Sequence, residues 1–381
     1  MLAAIVVAQT LLSVPAQAGV PVPQALYQSG SHLYSLTKTD SDALLLLDYD
    51  SGHLWRLRMN EGEWVGGPSI GIDSPVSMRV RISDDKLTIN SKIVATRADV
   101  FAVEKASGGT LYLPRASGRR PAVVMVPEAP TLPIAYFARR GIAVLVLDKR
   151  PNWQARTFED MAVDVIAAVN VLRSRSDIES VGVYGSSQGG WVAPIAAAKS
   201  RSIAFVVCSA CPATNLTAQE LIRTKAELRA DGFSTGDVDE AVRYRKLFFE
   251  YLQSGEHQGE LEAADQKAKS ARWYARFGGI ISREAPVALW WQHNERYVPT
   301  DSWKRVRVPA LLLFGGLDTR VPPSEHAKLI AAADPGATFM VIPNVDHEGF
   351  LARTGGRDEV PLLDRMPPRG FEPIIDWILA H

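Results

Sequence analysis

The sequence predicts an α/β protein, a mostly parallel central sheet flanked by helices, with a helical cap insertion and a small N-terminal β-rich module. Three observations predict it. From Leu111 onward, short continuous apolar runs alternate with stretches of helical period, the pattern of strands buried on both faces of a parallel sheet. Before residue 108 the texture is of short alternating runs separated by turn signals such as Asp50-Ser51-Gly52 and Gly66-Gly67-Pro68. Between Cys208 and Ala310 no strand of comparable quality occurs; a charged, helix-forming stretch and a Trp-rich part stand there instead.

Taken in chain order, residues 1–18 read as a signal peptide. Leu2 to Val14 is almost wholly apolar, Ala16-Gln17-Ala18 supplies a small-x-small cleavage site, and no Lys or Arg precedes the apolar stretch. The stretch is shorter than the roughly 20 apolar residues a membrane span needs, so the expectation is export to the periplasm or beyond. Residues 19–108 form the β-rich module, with strands at Leu33–Leu36, Ala43–Leu47, His53–Leu57, Met78–Ile82 and Ala102–Glu104. The first part of the core, 109–212, has strand candidates Val123–Val126, Ile142–Leu147, Val181–Tyr184 and Ile203–Cys208. A capping box at Thr157-Phe158-Glu159-Asp160 opens a helix whose apolar stripe is Met161, Val165, Val169 and Leu172. The cap occupies 213–303, with Trp273, Trp290, Trp291 and Trp303 among its apolar residues, available for helix packing or for an acyl pocket. The second part of the core, 304–381, supplies strands Ala310–Phe314 and Thr338–Ile342, a helix capped by Ser324, and a closing amphipathic helix from Phe371 to Ala380.

Composition narrows the function. Lys+Arg and Asp+Glu number 42 each, which gives no electrostatic reason to expect nucleic acid or an anionic membrane as partner. The two cysteines, Cys208 and Cys211, are too few for a zinc cluster or a disulfide framework. Two small core residues are expected there, with a local disulfide as the alternative. Neither a metal nor an organic cofactor is implied.

The chemistry concentrates in three places. Gly185-Ser186-Ser187-Gln188-Gly189 is a G-x-S-x-G sequence between a buried strand and a helix starting near Trp191, the setting in which a sharp turn lifts a serine above the sheet. Glycines two residues to either side avoid a Cβ clash in that turn. Serine needs a base, and His347, in the polar turn Asn344-Val345-Asp346-His347 after a strand, has the address at which parallel sheets place their sites. Asp318, after the strand Ala310–Phe314, is the expected orienting acid, with Asp346 as its rival. The oxyanion hole is assigned to the N–H of Gln188 and, from the loop after Val126, to that of Ala129, with Glu128 second; Glu128 is expected to point outward or to pair with Arg150.

Gly185 to Trp191, Asp148-Lys149-Arg150, Gly315-Gly316-Leu317-Asp318-Thr319-Arg320-Val321-Pro322 and Asp346-His347 together resemble the α/β-hydrolase superfamily, more narrowly bacterial esterase-like serine hydrolases with an N-terminal β-rich extension and a helical cap. The resemblance covers residues 105–381 well and the extension loosely. It implies the α/β-hydrolase fold, the triad Ser187, Asp318 and His347, and a small-molecule acyl ester as substrate. Pro127-Glu128 stands where the family commonly has His-Gly, Ser186 where it has His, and Pro151 where it has Gly. A serine peptidase or amidase with the same triad, and a binding protein that kept the fold, are the other two readings.

Overall fold

The computed structural model describes residues 24–38, 43–69, 71, 75–83, 85–127 and 132–381. The signal-peptide reading of 1–18 and the oxyanion assignment to Ala129, with its neighbour Glu128, lie outside the described residues.

Eight antiparallel strands, from β1 (Gln24–Ser29) to β8 (Ile93–Ala98), close into a barrel when Leu26, Tyr27 and Gln28 pair with Ala98, Arg97 and Thr96. Closure removes the exposed edges a free meander would leave. Period-two alternation sends side chains to two separate interiors. Tyr34, Leu36, Leu46, Leu57, Val80 and Leu87 fill the barrel, whereas Leu26, Leu33, Leu47, Tyr49 and Leu54 face out and pack on the main domain. The barrel ends at Ala98. Phe101–Ala106 (β9), expected within the β-rich module, instead pairs with Gly109–Pro114 (β10) as the edge of the large sheet.

That sheet has the order β16-β15-β14-β13-β11-β12-β10-β9, with β11 Arg120–Met125, β12 Ala143–Leu147, β13 Ile178–Ser186, β14 Val206–Ser209, β15 Ala310–Gly315 and β16 Thr338–Ile342. From β12 through β16 every pairing is parallel, while β9 and β10 are antiparallel. Ala310–Gly315 is buried along its whole length, as a continuous apolar run predicts. Thr338–Ile342 is not: it is the outer strand, and Thr338 and Val341 are exposed.

One face of the sheet carries α2 (Phe158–Arg173) and α3 (Gly189–Lys199); the other carries α1 (Ile134–Arg139), α11 (Glu372–Leu379) and the barrel. The capping box that opens α2 is present in full: Asp160 N donates to Thr157 Oγ1 at 3.1 Å and Thr157 N to Asp160 Oδ2 at 2.9 Å. Val165, Val169 and Leu172 are buried as the stripe requires. The helix expected to be capped by Ser324 begins instead at Pro323 (α10, Pro323–Ala333), with no side-chain cap; proline at the first helical position sacrifices an N–H that had no partner to lose.

Helices fill the interval between β14 and β15: α4 (Leu216–Ala230), α5 (Thr235–Ser254), α6 (Gln258–Ala268), α7 (Tyr274–Phe277), α8 (Pro286–Asn294) and α9 (Pro299–Trp303). Trp273, Trp290, Trp291 and Trp303 are all buried within them. Cys208 and Cys211 are both buried, as expected of core residues, yet they form a disulfide rather than two free thiols. Ala210, between them, adopts φ 51°, and this left-handed residue curls the backbone until the two Cα atoms are 5.8 Å apart, within bridging range. Among the described residues no helix is long and apolar enough to cross a membrane.

Candidate active site

The sheet's strand order reverses at β11, which has β12 on one side and β13 on the other. A crevice opens at such a switch point, beyond the carboxyl ends of the strands. Ser187 stands there, immediately after β13, with φ 49°. A left-handed backbone on a non-glycine residue is strained, and it turns the chain sharply enough to leave the side chain partly exposed between strand and helix. Backbone bonds hold the turn: Ser187 N donates to Ser209 O at 2.9 Å and Gly190 N to Ser187 O at 2.9 Å.

The flanking glycines serve unequally. A Cβ on Gly185 would lie 2.6 Å from the carbonyl oxygen of Gly189, so the turn closes on itself only with glycine there. At Gly189 the nearest neighbour is the Val126 side chain at 3.2 Å, a milder constraint than the sequence suggests. Gly190 is the stricter position: a Cβ would sit 2.6 Å from Cys211 Sγ and 2.8 Å from its Cα. The disulfide loop is thus pressed against the start of the helix that follows Ser187.

His347 joins the other two predicted residues. Its Nε2 lies 3.0 Å from Ser187 Oγ and its Nδ1 2.9 Å from Asp318 Oδ2. These groups are separated by 160 and 29 positions in sequence, and two loops bring them together. Leu317 N donates to Val345 O at 2.8 Å and Gly316 N to Ile342 O at 2.8 Å, so the loop after β15 is laced to the loop after β16. Gly315 makes this possible, since a Cβ there would overlap the carbonyls of Val345 and Asp346.

Asp318 is 3% exposed, and its oxygens are fully engaged: Oδ1 accepts from the N–H groups of Arg320 at 2.8 Å and Val321 at 2.7 Å, Oδ2 from His347. Burial pushes its pKa up, but the His347 charge, the hydrogen bond to it and the two backbone donors prevail, and the carboxyl sits below its ordinary range. For His347 burial disfavours the charged ring, yet the Asp318 charge and hydrogen bond outweigh it, and the pKa is raised. A neutral ring with its Nδ1–H donated to Asp318 leaves Nε2 as a proton acceptor facing the serine hydroxyl.

Asp346, the rival acid, does other work. Its Oδ1 accepts from Glu348 N at 3.0 Å and Phe350 N at 2.8 Å, closing the turn that carries His347. Burial pushes its pKa up to about 6. His326, in α10, accepts from Ala213 N through Nδ1 at 3.0 Å; burial depresses its pKa to about 4, so it stays neutral and structural. Arg150 pairs with Asp164 at 3.0 Å. Of the oxyanion donors, Gln188 lies at the start of α3, where the first N–H groups of a helix lack intrahelical partners.

Two cavities meet at Ser187, Gln188, His347 and Arg320. The larger, about 260 Å³, is walled mainly by apolar residues, among them Leu132, Tyr184, Met366, Phe371 and Ile374. The smaller, about 70 Å³, lies toward the cap and is lined by Gln219, Glu220, Arg223, Trp290 and Trp291. Sequence reasoning reached the three central residues and, of these walls, Trp290 and Trp291 as candidates for an acyl pocket, but not the others. Met366 sits in a segment without periodicity, Phe371 reads only as the first residue of the closing helix, and the stretch that holds α4 reads as charged and helix-forming, which does not point to a cavity.

A serine at the apex of a strand–turn–helix, facing a histidine and a carboxylate along the carboxyl edge of a parallel sheet, is an arrangement of the α/β-hydrolase class of proteins. The chain belongs to the alpha/beta hydrolase family, whose model matches residues 99–356. No curated protein matches it by sequence. Among solved structures, a Mycobacterium tuberculosis puromycin-hydrolyzing peptidase is 16% identical, with TM-score 0.44, over 94% of this chain and 53% of its own. This chain therefore spans about half the length of that peptidase. A puromycin hydrolase is 17% identical, with TM-score 0.44, over 89% of this chain and 52% of its own. Est1E from Butyrivibrio proteoclasticus is 14% identical, with TM-score 0.42, over 74% of this chain and 97% of its own. Likeness at this level carries no information on substrate.

Proposed function

We propose that the protein is a serine hydrolase that cleaves carboxylic esters of small or medium acyl substrates through an acyl-enzyme. The observation that carries the reading is the His347 imidazole bridging Ser187 Oγ at 3.0 Å and Asp318 Oδ2 at 2.9 Å. His347 Nε2 takes the hydroxyl proton as Ser187 Oγ bonds to the ester carbonyl carbon, and Asp318 stabilises the imidazolium that forms. The negative charge on the carbonyl oxygen is met by the N–H of Gln188 at the positive end of α3. Collapse expels the alcohol with the proton from His347. Water then repeats the sequence on the acyl-enzyme and releases the acid. The 260 Å³ cavity beside Ser187 has the apolar walls an acyl chain requires.

Purified protein should hydrolyse a short chromogenic acyl ester, and Ser187→Ala should remove nearly all of that rate. Equal rates for the two proteins end the reading. A preference for an aminoacyl anilide over the ester would turn it toward a peptidase, and failure of a fluorophosphonate to label Ser187 toward a binding protein. The same proposal places the enzyme outside the cytoplasm, with residues 1–18 removed. The Cys208–Cys211 bridge supports this, because disulfides persist in oxidising compartments. Mature protein should begin at Gly19; recovery of a chain beginning at Met1 from the periplasmic fraction contradicts it.

A further inference from the structure

The small cavity between Ser187 and the cap has an electrostatic character unlike the rest of the site. Two guanidiniums, Arg223 and Arg320, and one carboxylate, Glu220, line it. Glu220 is not available to a ligand cation. Its Oε1 is held by Arg223 at 3.4 Å and its Oε2 by Arg245, from behind on α5, at 3.2 Å. Arg223 is braced in turn by Glu227 at 2.8 Å, and Glu220, Arg223, Glu227 and Arg245 are all more than nine-tenths buried. Arg320 is fixed from the core side. Its backbone N–H donates to Asp318, its guanidinium spans Glu227 of the cap at 3.7 Å and Glu348 at 2.8 Å, and it borders both cavities.

Guanidinium groups remain charged at any physiological pH and present several donors in one plane. Of the charged side chains that line the cavity two are guanidiniums and one is a carboxylate, while Glu227 and Glu348, which balance the guanidiniums, lie outside its wall; the wall itself is rich in donors, in partly desolvated surroundings, next to a nucleophile. Those are the conditions under which a carboxylate binds with useful strength. At about 70 Å³ the space takes a group of that size and little more.

We propose that this cavity is a subsite for a carboxylate carried by the substrate a few bonds from the scissile ester, with Arg223 and Arg320 as the residues that determine this specificity. The proposal rests on the ester-hydrolase reading for its chemistry and names the substrate class: half-esters of short dicarboxylic acids, or esters whose alcohol part bears a carboxylate. The uncharged remainder of the substrate occupies the larger apolar cavity.

The test has two arms. In the first, kcat/KM is compared for the mono-4-nitrophenyl ester of glutaric acid and for 4-nitrophenyl pentanoate, and separately for butanoate esters of 4-hydroxybenzoic acid and of phenol. The expected result is a preference of about tenfold to a hundredfold for the anionic member of one pair, the gain from one or two charge-assisted hydrogen bonds. The pair that shows it tells whether the acyl or the alcohol part carries the charge. Arg320→Gln, on a partly exposed side chain, should reduce that ratio at least tenfold. Arg223→Gln should do the same, and Arg320→Gln keeps the test valid where the Arg223 variant fails to fold. The second arm reads binding without turnover: Ser187→Ala protein should bind monomethyl glutarate or 4-(butanoyloxy)benzoate in calorimetry, and the Arg320→Gln change in that background should abolish it. Ratios near one in both pairs, or ratios and binding unchanged by Arg320→Gln, overturn the subsite while leaving the hydrolase standing. Arg320-dependent binding without hydrolysis of any ester retains the subsite and ends the ester-hydrolase reading.

Discussion

The barrel touches the active site at one remove, and Gly52→Ala measures how strongly. The segment that includes Met366, Pro367, Gly370 and Phe371 walls the larger cavity. It is tied to the barrel by backbone bonds from Met366 N to Gly52 O at 2.8 Å, Leu54 N to Asp364 O at 2.7 Å and Arg369 N to Tyr49 O at 2.9 Å. Gly52 has φ +77°, and a Cβ there would overlap the Met366 carbonyl oxygen while lying 3.0 Å from the carbonyl carbon and 3.2 Å from Pro368 N. A carbon–oxygen contact settles at about 3.3 Å or more, so the 366 segment must retreat by roughly 1 Å. Left-handed backbone on alanine costs about 1–2 kcal/mol, and the forced shift of packed chain about 1–3 kcal/mol more. The variant should therefore fold with a depressed melting temperature. Displacement of a pocket wall by about 1 Å is of the order that can cost a hundredfold in rate. The loss should grow with acyl chain length, because longer chains reach Met366 and Phe371. Gly62→Ala is the control: its φ is +84°, so the backbone penalty is similar, but nothing lies within 4 Å of the new Cβ. The assay is kcat/KM across acyl esters of graded length for wild type, Gly52→Ala and Gly62→Ala. Identical length profiles for all three would refute the idea that the barrel sets the pocket wall.

Three further outcomes follow from the same geometry. Only a neutral His347 accepts a proton, so kcat/KM should fall as pH drops through an apparent pKa above the ordinary histidine value of about 6.5, because the Asp318 charge raises it against burial. Asp318→Asn removes that charge, so the acid limb should move to lower pH while the rate drops by about 10⁴; an acid limb that stays in place contradicts the assignment. Asp346 holds its proton more tightly folded, at about 6, than unfolded, where a carboxyl titrates near 4, so its contribution to stability is present below pH 4 and lost as pH rises through 6. Asp346→Asn keeps an acceptor for Glu348 N and Phe350 N and cannot ionise. In urea titrations it should exceed wild type by about 1–3 kcal/mol at pH 7.5 and match it near pH 4, and a gap independent of pH would count against this. Replacing Cys208 and Cys211 together by alanine opens a loop closed over a sequence separation of 3. The stability loss should be about 2 kcal/mol, and since the loop abuts Gly190, activity should fall with it; wild-type activity would show that the bridge does not support the Ser187 turn.

What could be read from the sequence is what local rules determine. Ser187, Asp318 and His347 each follow a short apolar strand, and a parallel sheet places all such strand ends along one edge, so three separate motifs converge without any long-range information. The capping box at Thr157 is equally local. The disulfide was legible only as the alternative to two core thiols, because it depends on Ala210 at φ 51°, and alanine gives no signal for left-handed backbone. The edge position of Thr338–Ile342 was hidden because the strand is apolar enough to pass for an inner one. Barrel closure depends on β1 meeting β8, a pairing across some seventy residues that no turn signal encodes.

The buried charges of α4 show a different kind of limit. Glu220, Arg223 and Glu227 fall at helical spacing in a polar stretch, and on composition such residues belong in water. They are buried because other layers supply the missing counter-charges: Arg245 comes from the next helix and Arg320 from the loop beyond β15, 25 and about a hundred positions away. A charge pattern on one helix does not reveal its partners on another. Removing one member of a buried pair costs about 3–5 kcal/mol, because the other is left uncompensated. The cap meets the core at Arg320 through an ionic contact to Glu227 at 3.7 Å, which adds to the closer pairs Arg223–Glu227 and Arg320–Glu348, both at 2.8 Å. That contact lies beside Ser187, so the feature that most resisted reading from sequence is also the one that walls the proposed carboxylate subsite.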